Sequence, residues 1–350
     1  MGGKTKKDYL FSKLKSAFPA VLAIVLFALS ACKAEEPYQL QFLAMDTIMT
    51  LTLYGKDAQS AAGLAEEHVR ALEDLLSVTK ENSDIYRANH ADGQPVELSS
   101  HTRQLLADAL AICAATDGAL DVTMYPIVRA WGFTTGEYRV PESGELSALL
   151  ERVDYSRAAL EGSTLTLPAG MELDLGAVAK GYTGDQLMEL FANAGVTSAI
   201  VELGGNVQAL GAKPDGSPWR VAVQSPDGSG YAGTLEIVDK AVVTSGGYQR
   251  YFEQDGETYW HIMDPATGCP ARSGTASVTI VSDRGVEADG LSTALFIMGR
   301  DRAAEYWMEH PGFEFILLGE DGTVTVTEGL EDSFSLYGDW RGKPLEIVRH

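Results

Sequence analysis

Four separated segments of the chain carry residue types that bind a diphosphate and a hard metal ion. They are Asp174–Gly181, Glu202–Asn206, His261–Gly268 and Asp289–Thr293. In the last segment, Asp289 and Thr293 are four residues apart and share one face of a predicted helix. A carboxylate and a hydroxyl are hard oxygen ligands of the kind that Mg²⁺ prefers. The ordinary alternative is that Asp289 is a helix N-cap and Thr293 is structural.

The segment around Lys180 has the layout of a phosphate-binding turn. A strand is predicted to end at Asp174, and Gly176 allows a tight turn into a helix over about 176–195. The start of a helix has unpaired N–H groups and a partial positive charge, which suit a phosphate, and Lys180 adds a full charge. An ordinary strand-to-helix turn with Asp174 as N-cap accounts for the same residues.

Three further segments place polar groups beside glycines or turns. Leu203–Asn206 is either a hairpin turn or a place where the backbone approaches a ligand closely. Ser245–Arg250 is predicted to open a strand and to offer hydroxyl and N–H groups to an anion, although its arginine could equally pair with a surface carboxylate. His261 alternates with Tyr259 along a predicted strand, so both point to one sheet face. His261 is therefore a candidate general base or a core histidine.

These segments must be positioned by a mixture of helices and strands. Apolar spacing predicts helices over about 64–76, 100–118, 143–152, 176–195 and 290–309. Strands are predicted at 38–54, 158–160, 165–167, 198–203, 207–211, 219–224, 233–238, 241–244, 248–254, 258–262 and 275–282, with hairpin turns at 255–256 and 321–322. Because strands and helices do not alternate regularly along the chain, an α+β fold is favoured over a doubly wound sheet.

The start of the chain predicts an export signal. Five lysines precede an apolar run over Phe18–Leu29, which is shorter than the roughly 20 residues that span a bilayer. Leu29-Ser-Ala-Cys32 resembles a bacterial lipobox, which implies cleavage before Cys32 and lipidation of its thiol. A simple anchor helix with an incidental cysteine is the alternative. We predict residues 1–31 as a signal peptide, 32–37 as a lipidated tether and 38–345 as one folded domain.

The body that remains after this cleavage is strongly acidic. Loss of five lysines and one aspartate changes the formal charge from -22 to -26, which argues against binding to nucleic acid. An anionic ligand would therefore need a nearby metal ion, lysine or backbone N–H group to bind.

Cys113 lies on the apolar face of a predicted helix, so we expect core packing rather than a disulfide with Cys269. The cysteine spacing does not suggest a zinc site.

In this order, the four segments resemble the ApbE family, the FAD:protein FMN transferases. The resemblance covers nearly all of the chain after residue 40. It implies a single compact ApbE-like, T-fold-related α+β domain with mixed helices and largely antiparallel strands. Its further elements are Met45-Asp-Thr47, Ser83–Asn89, Asp117–Thr123 and Trp131-Gly-Phe133.

The resemblance also implies a set of functional residues. The substrate FAD would contact Met45, Ala119, Leu120, Asp121, Asp174, Lys180 and His261. Mg²⁺ would be held by the backbone carbonyl of Ala177, by Asp289 and by Thr293, with Ser292 as a further ligand. His261 and Asp289 would be the catalytic residues. Thr79 stands where many members place an aromatic side chain that contacts the flavin, and Gly290 replaces the usual alanine of the metal-binding motif.

The activity implied by the resemblance is Mg-dependent transfer of FMN from FAD to a Thr or Ser hydroxyl of an acceptor protein, with release of AMP. The acceptors would be extracytoplasmic domains of membrane redox subunits. The lipid anchor would hold the enzyme on the extracytoplasmic or periplasmic face of the cell membrane. Two alternatives use the same residues: an FAD pyrophosphatase that yields FMN and AMP, and a non-catalytic FAD-binding lipoprotein. A pure binder would have no need for Asp289 and Thr293.

Overall fold

A computed structural model describes residues 36–350 of the chain. The predicted signal peptide, the lipidation site Cys32 and most of the tether lie outside the described residues. Within the described part, Pro37–His350 forms one compact unit. None of the helices between residues 36 and 350 combines the length and the apolar character needed to cross a membrane.

A large, mainly antiparallel sheet forms the centre of the fold. In chain order, the strands are β1 (Tyr38–Ala44), β2 (Thr47–Leu53), β3 (Val96–Glu97), β4 (Ala159–Glu161), β5 (Thr164–Thr166), β6 (Ala199–Leu203), β7 (Asn206–Leu210), β8 (Trp219–Gln224), β9 (Tyr231–Ile237), β10 (Ala241–Gly246), β11 (Tyr251–Gln254), β12 (Glu257–Trp260), β13 (Thr275–Ser282), β14 (Phe313–Gly319), β15 (Val324–Thr327), β16 (Phe334–Leu336) and β17 (Leu345–Val348). Within residues 36–350, nine of them form the sheet β1-β2-β6-β7-β10-β13-β14-β15-β17. β17 pairs in parallel with β15 and extends the sheet past residue 345, where we placed the end of the domain.

Helices cover one face of this sheet. They are α1 (Ala58–Leu76), α2 (Asp84–Asn89), α3 (Ser100–Ala115), α4 (Tyr125–Ala130), α5 (Ser143–Leu150), α6 (Ala179–Asn193), α7 (Gly285–Met298) and α8 (Arg300–Glu309). Successive strand residues point to opposite faces. In β14, Phe315 and Leu317 pack into the core on the helical side, whereas Ile316 and Leu318 pack against the small sheet β16-β9-β8 on the other side.

Several predicted elements are confirmed because their signals are local. Helix α3 begins at Ser100 as predicted, one residue after its N-cap Ser99, whose hydroxyl accepts the N–H of Thr102, but it ends at Ala115, three residues before the predicted end at Gly118. The β4–β5 hairpin and the turns at 255–256 and 321–322 also lie where they were predicted. Cys113 is fully buried in the core and carries a free thiol, and burial raises the pKa of that thiol to about 12.

Other predicted elements are wrong because single residues interrupt apolar runs. The strand predicted over 38–54 is the hairpin β1–β2, whose turn holds Met45 at φ 48° and Asp46 at φ 58°. The helix predicted over 290–309 is two helices, and Gly299 separates them at φ 78°. Leu64, where the predicted helix began, lies inside α1 and is 52% exposed. The buried face of α1 consists instead of small side chains in its first half, namely Ala58, Ala61, Ala62 and Ala65.

The β11–β12 hairpin is a separate two-stranded sheet. One of its faces packs on an aromatic cluster that we define as Trp131, Phe133, Tyr138, Phe252 and Tyr259. Within this cluster, the rings of Phe252 and Tyr259 stack with centroids 5.2 Å apart. The Trp131 indole N–H also donates to the carbonyl of Gly268 at 2.8 Å, which ties the cluster to the turn after His261.

Candidate active site

Helices α6 and α7 cross in direct backbone contact at two glycines. A Cβ on Gly181 would lie 2.1 Å from the carbonyl oxygen of Gly285 and 2.7 Å from the Cβ of Asp289. A Cβ on Gly285 would lie 2.4 Å from the carbonyl oxygen of Gly181. Only glycine fits this approach at either position. The crossing therefore brings Asp289 to the first turn of α6.

The Asp289 carboxylate binds the backbone at the start of α6. Its Oδ2 accepts the Gly181 N–H at 2.8 Å, and its side chain is almost fully buried. Burial raises the pKa of Asp289, while the positive charge of Lys180 and the nearby N–H groups of α6 oppose this rise. We predicted Asp289 at the start of a helix, with an N-cap as the alternative. Both are wrong, since Asp289 is the fifth residue of α7 and the N-cap is Arg284.

The hydrogen bond from the Gly181 N–H to Asp289 leaves the backbone carbonyl of Ala177 without a donor among the described residues. In a regular helix the Gly181 N–H would reach the carbonyl four residues earlier, which is that of Ala177. That N–H is diverted to Asp289, and among residues 36–350 no other group donates to the Ala177 carbonyl. Ala177 is half-buried, so its carbonyl is free to bind water or a ligand.

Three hydroxyl groups lie beside Asp289. Ser292 and Thr293 share the face of α7 that carries Asp289. The Ser292 hydroxyl donates to the Asp289 carbonyl at 2.8 Å and lies 2.8 Å from the Ser245 hydroxyl. Thr293 Oγ1 is 3.4 Å from Ser245 Oγ. Ser292 is thus held by structural hydrogen bonds, and Thr293 is the hydroxyl of α7 with the fewest competing partners.

These groups fit a hard divalent cation. Asp289, Thr293 and the Ala177 carbonyl together offer a carboxylate, a hydroxyl and a carbonyl, and all three are oxygen ligands suited to Mg²⁺. Within residues 36–350, no cluster of three or more His, Cys, Asp or Glu side chains could hold a metal ion. A site with one carboxylate suits Mg²⁺, which usually keeps several positions for water and substrate phosphates.

The amide of Asn206 lies at the edge of the same site. It is close enough to lower the pKa of Asp289. Its Nδ2 is nevertheless buried and makes no hydrogen bond of normal geometry to any described residue. The turn before it, Gly204 and Gly205, joins β6 to β7 as a hairpin, with both φ angles positive. A Cβ on Gly204 would lie 2.4 Å from Thr47 Oγ1, so the turn comes close to a side chain of β2, and the predicted hairpin turn is confirmed.

The first turn of α6 is not a free anion site. The N–H of Gly176 donates to Asp174 Oδ1 at 2.8 Å, and the N–H groups of Val178 and Ala179 both reach the Leu175 carbonyl. With the Gly181 N–H bound to Asp289, few donors remain for a phosphate. The predicted cradle of backbone N–H groups is therefore wrong, and Lys180 supplies the positive charge. Asp174 is not an N-cap either, since Val178 occupies that position without a side-chain cap.

Lys180 is the common neighbour of the predicted site residues. Its charge opposes the rise in the pKa values of Asp174 and Asp289 that burial causes. It also contributes to the lowered pKa of His261. The structure thus brings Asp174, His261 and Asp289 around one half-buried cation.

His261 follows directly after β12 and is held by the backbone of Arg250. Its backbone N–H donates to the Arg250 carbonyl at 3.1 Å, and its Nδ1 lies 3.2 Å from the same oxygen. A carbonyl only accepts, so this bond requires a proton on Nδ1 and leaves Nε2 free to accept one. Burial, together with the charge of Arg250, lowers the pKa of His261 to about 4. The ring is therefore neutral at neutral pH and can act as a base.

The remaining predicted FAD contacts lie around these helices. Met45 donates its backbone N–H to Glu73 Oε1 at 3.1 Å, and its sulfur is 3.8 Å from the Thr183 hydroxyl of α6. Ala119 and Leu120 are buried, and Leu120 Cδ2 would be 3.3 Å from a Cβ on Gly290 of α7.

Asp121 has a structural role that its sequence context did not show. Its Oδ1 accepts the N–H of Thr123 at 2.7 Å and the hydroxyl of Thr123 at 2.6 Å. Its Oδ2 accepts the N–H of Tyr155 at 3.0 Å. Both carboxylate oxygens are used inside the protein, so Asp121 shapes the loop that it lies in.

Sequence reasoning left out two contributors to the site. Ser245 was noted for its hydroxyl but was placed at the opening of a strand, whereas it lies near the end of β10 and contacts α7. The Gly181–Gly285 crossing was not predicted at all. Two single glycines far apart in the chain carry no local pattern, so only the tertiary structure reveals them.

Comparisons with known proteins point to one family. A family model described as ApbE family matches residues 45–317. The FAD:protein FMN transferase of Treponema pallidum is 32% identical over 338 residues, which cover 89% of this chain and 93% of the relative. That of Vibrio cholerae is 37% identical over 237 residues, which cover 65% of this chain and 70% of the relative.

Solved structures show the same fold. The crystal structure of the ApbE protein from Thermotoga maritima has a TM-score of 0.81 at 31% identity and covers 85% of this chain and 99% of its own. The flavin transferase ApbE from Vibrio cholerae has a TM-score of 0.75 at 28% identity and covers 88% of this chain and 98% of its own. The predicted α+β fold with largely antiparallel strands is confirmed. From the matched residues, the shared fold and the identity to its relatives, the chain belongs to the ApbE family.

Proposed function

We propose that this chain transfers the FMN part of FAD to a Thr or Ser hydroxyl of an acceptor protein and releases AMP. Its relatives bear the name FAD:protein FMN transferase, which supports this class of reaction. The observation that carries the proposal is the Ala177 carbonyl, which receives no hydrogen bond from residues 36–350 because its regular helical donor, the Gly181 N–H, is bound to the buried carboxylate of Asp289. A protein that only stores a flavin has no need for a set of oxygen ligands beside a lysine and a neutral histidine.

The residues have separate tasks in this reaction. Lys180 attracts and orients the diphosphate of FAD. Asp289, Thr293 and the Ala177 carbonyl would hold Mg²⁺, which when bound neutralises negative charge on the phosphates and on the leaving AMP. Met45, the loop that Asp121 shapes with Ala119 and Leu120, and Asp174 would contact the rest of FAD.

His261 acts as the general base. Its Nε2 accepts the proton of the acceptor hydroxyl, and the hydroxyl oxygen forms a bond to the FMN-side phosphorus. The bond from that phosphorus to the bridging oxygen breaks, and AMP leaves with that oxygen. The product is FMN joined to the acceptor through a phosphoester. Because the Arg250 carbonyl holds the proton on Nδ1, the ring presents Nε2 without a change of tautomer.

We also propose that the enzyme is a lipoprotein that is anchored through Cys32 and faces the extracytoplasmic or periplasmic space. The basic start of the chain, the apolar run over Phe18–Leu29 and the lipobox-like end support this. The acceptors would then be extracytoplasmic domains of membrane redox subunits. A Cys32→Ser variant should move from the membrane fraction to the soluble fraction on cell fractionation; unchanged membrane retention would contradict lipid anchoring.

The mass of the acceptor tests the activity. The full chain in detergent is incubated with FAD, Mg²⁺ and a soluble extracytoplasmic domain of a membrane redox subunit. We expect the acceptor mass to rise by one FMN less one water, with one AMP released for each adduct. Free FMN and AMP without an adduct would instead identify a pyrophosphatase, and unchanged FAD would identify a flavin-binding protein. Asp289→Asn is the matched control, since it keeps an oxygen acceptor for the Gly181 N–H but removes the charge.

A further inference from the structure

Among residues 36–350, one edge of the β11–β12 hairpin has no partner strand, and this edge begins beside His261. The backbone N–H of His261 donates to the carbonyl of Arg250, so these two residues form a hydrogen-bonded pair at the base of the hairpin. Hydrogen-bonded and non-hydrogen-bonded pairs alternate along an antiparallel ladder. The register of β11 with β12 therefore places Tyr251 and Glu253 in non-hydrogen-bonded pairs. Their N–H and C=O groups point away from β12.

The opposite edge of the hairpin supports this assignment. Thr258 is the partner of Glu253 in the register, so its carbonyl should also point outward. That carbonyl accepts a hydrogen bond from the guanidinium of Arg272, which covers the β12 edge. On the β11 edge, no group between residues 36 and 350 bonds to the backbone of Tyr251 or Glu253 outside the hairpin. β11 is therefore the open edge.

The surface around this edge is aromatic and acidic. Tyr251 is 50% exposed, and Tyr138, which stacks on Phe252, is 47% exposed. The hairpin tip carries three carboxylates, Glu253, Asp255 and Glu257. None of the three forms a salt bridge with a described residue. A partner segment that complements this surface is extended and carries positive charge near the tip.

We infer that the outer edge of β11 is the docking strand for the acceptor protein. An extended acceptor segment pairs with the N–H and C=O groups of Tyr251 and Glu253 by strand addition. It places a Lys or Arg against the acidic tip and leads the target hydroxyl to Nε2 of His261. The inference rests on the proposed function and names the partner of the same site. A rise of about 3.3 Å per residue puts Glu253 roughly 10 Å from the level of His261, so the hydroxyl lies about three residues along the segment.

Amide hydrogen exchange tests the edge directly. The probe is a soluble extracytoplasmic domain of a membrane redox subunit to which the unaltered full chain attaches FMN. We expect the amides of Tyr251 and Glu253 to exchange quickly in the free chain and at least about tenfold more slowly with the probe bound. Phe252 and Gln254, which bond within the hairpin, should be protected in both states. Unchanged exchange at Tyr251 and Glu253 with the probe bound would overturn the inference.

Matched proline variants test the role of the outer β11 edge in the reaction. Glu253→Pro removes an outward N–H without breaking a bond of the hairpin, and Thr258→Pro makes the same change on the covered edge. We expect Glu253→Pro to raise the KM for the acceptor by roughly tenfold relative to Glu253→Gln, which removes the same charge, and to leave the Kd of FAD unchanged. Thr258→Pro should change that KM less than twofold. Equal losses in both variants would mean that the hairpin is disrupted rather than the edge, and this would overturn the inference.

Two more measurements test the role of the Glu253 charge and distinguish failure of the docking strand from failure of the proposed function. Glu253→Gln should raise the KM for the acceptor, and added salt should erase the difference, because the proposed contact with a Lys or Arg is electrostatic. An unchanged KM in Glu253→Gln would overturn the charged part of the inference. If the unaltered chain attaches FMN to no acceptor, the proposed function itself has failed. If the unaltered chain attaches FMN normally but the β11 variants keep the same KM for the acceptor, only the docking-strand inference is overturned.

Discussion

Replacement of Gly181 by alanine should separate the two helices that carry the metal-binding groups. The added Cβ would lie 2.1 Å from the Gly285 carbonyl oxygen, whereas real Cβ contacts essentially never fall under 3.0 Å. The helices must therefore move apart by about 0.9 Å at this point. The bond from the Gly181 N–H to Asp289, now 2.8 Å, would lengthen to about 3.7 Å and cease to be a hydrogen bond.

The cost follows from these two effects. Overpacking at a backbone contact costs about 1 to 3 kcal/mol. Loss of a hydrogen bond to a charged group costs about 1.5 to 3 kcal/mol. We expect Gly181→Ala to lower the free energy of unfolding by about 2 to 5 kcal/mol, since the two effects overlap at one site. Because Ala177 directly precedes α6 and Thr293 lies on α7, moving the helices apart would change the spacing of these ligands, and the affinity for Mg²⁺ should fall by about tenfold or more.

Urea unfolding and calorimetric titration with Mg²⁺ in the presence of FAD measure these quantities. Gly290→Ala is the matched control on α7, where a Cβ would meet the ends of the flexible Ile112 and Leu120 side chains at 3.0 and 3.3 Å. The helix gains about 1 kcal/mol from this change, so stability should stay within about 1 kcal/mol of the original. A Gly181→Ala variant that loses less than about 0.5 kcal/mol and binds Mg²⁺ normally would refute the reasoning.

Three more predictions concern single side chains. Asp289→Asn should lower Mg-dependent AMP release by about 10²-fold while circular dichroism stays unchanged, and full activity would remove Asp289 from the metal site. The pKa of His261 is lowered to about 4, so its base form persists as the pH falls and kcat/KM for FAD should stay level down to about pH 5 before it declines. His261→Gln should abolish that decline along with most of the transfer, and a decline already centred near the ordinary histidine pKa would contradict the lowered value. Thr79→Tyr, at an exposed position, should tighten FAD binding by roughly three- to tenfold in a fluorescence titration, and unchanged affinity would show that this position does not reach the flavin.

Elements with a continuous local signal could be predicted from the sequence. The apolar spacing in α3 and the Asp-Gly turns are properties of a few neighbouring residues, and the structure has them at the predicted places. The breaks at Met45-Asp46 and at Gly299 depend on one or two residues in left-handed conformations. Apolar residues continue on both sides of each break, so periodicity alone could not show them.

The residue types of the candidate site could also be predicted, but their connections could not. Asp289 and Gly181 are 108 residues apart in the chain, and nothing local indicates that one binds the backbone of the other. The diversion of the Gly181 N–H to Asp289 explains why the Ala177 carbonyl receives no donor from residues 36–350. It also contributes to the failure of the predicted phosphate cradle, in which local acceptors, the Asp174 carboxylate and the Leu175 carbonyl, take the other N–H groups.

The bond between His261 and the Arg250 carbonyl has an evolutionary consequence. A main-chain oxygen sets the tautomer of the base, and every amino acid at position 250 supplies that oxygen. Substitutions at this position can alter the side chain that faces an incoming protein without disturbing the proton on Nδ1. The tautomer of the base is thus independent of the side chain at position 250, even though loss of the Arg250 charge would raise the pKa of the ring. A change of acceptor could therefore adjust the basicity of His261 through position 250 without turning the wrong ring nitrogen toward the incoming hydroxyl.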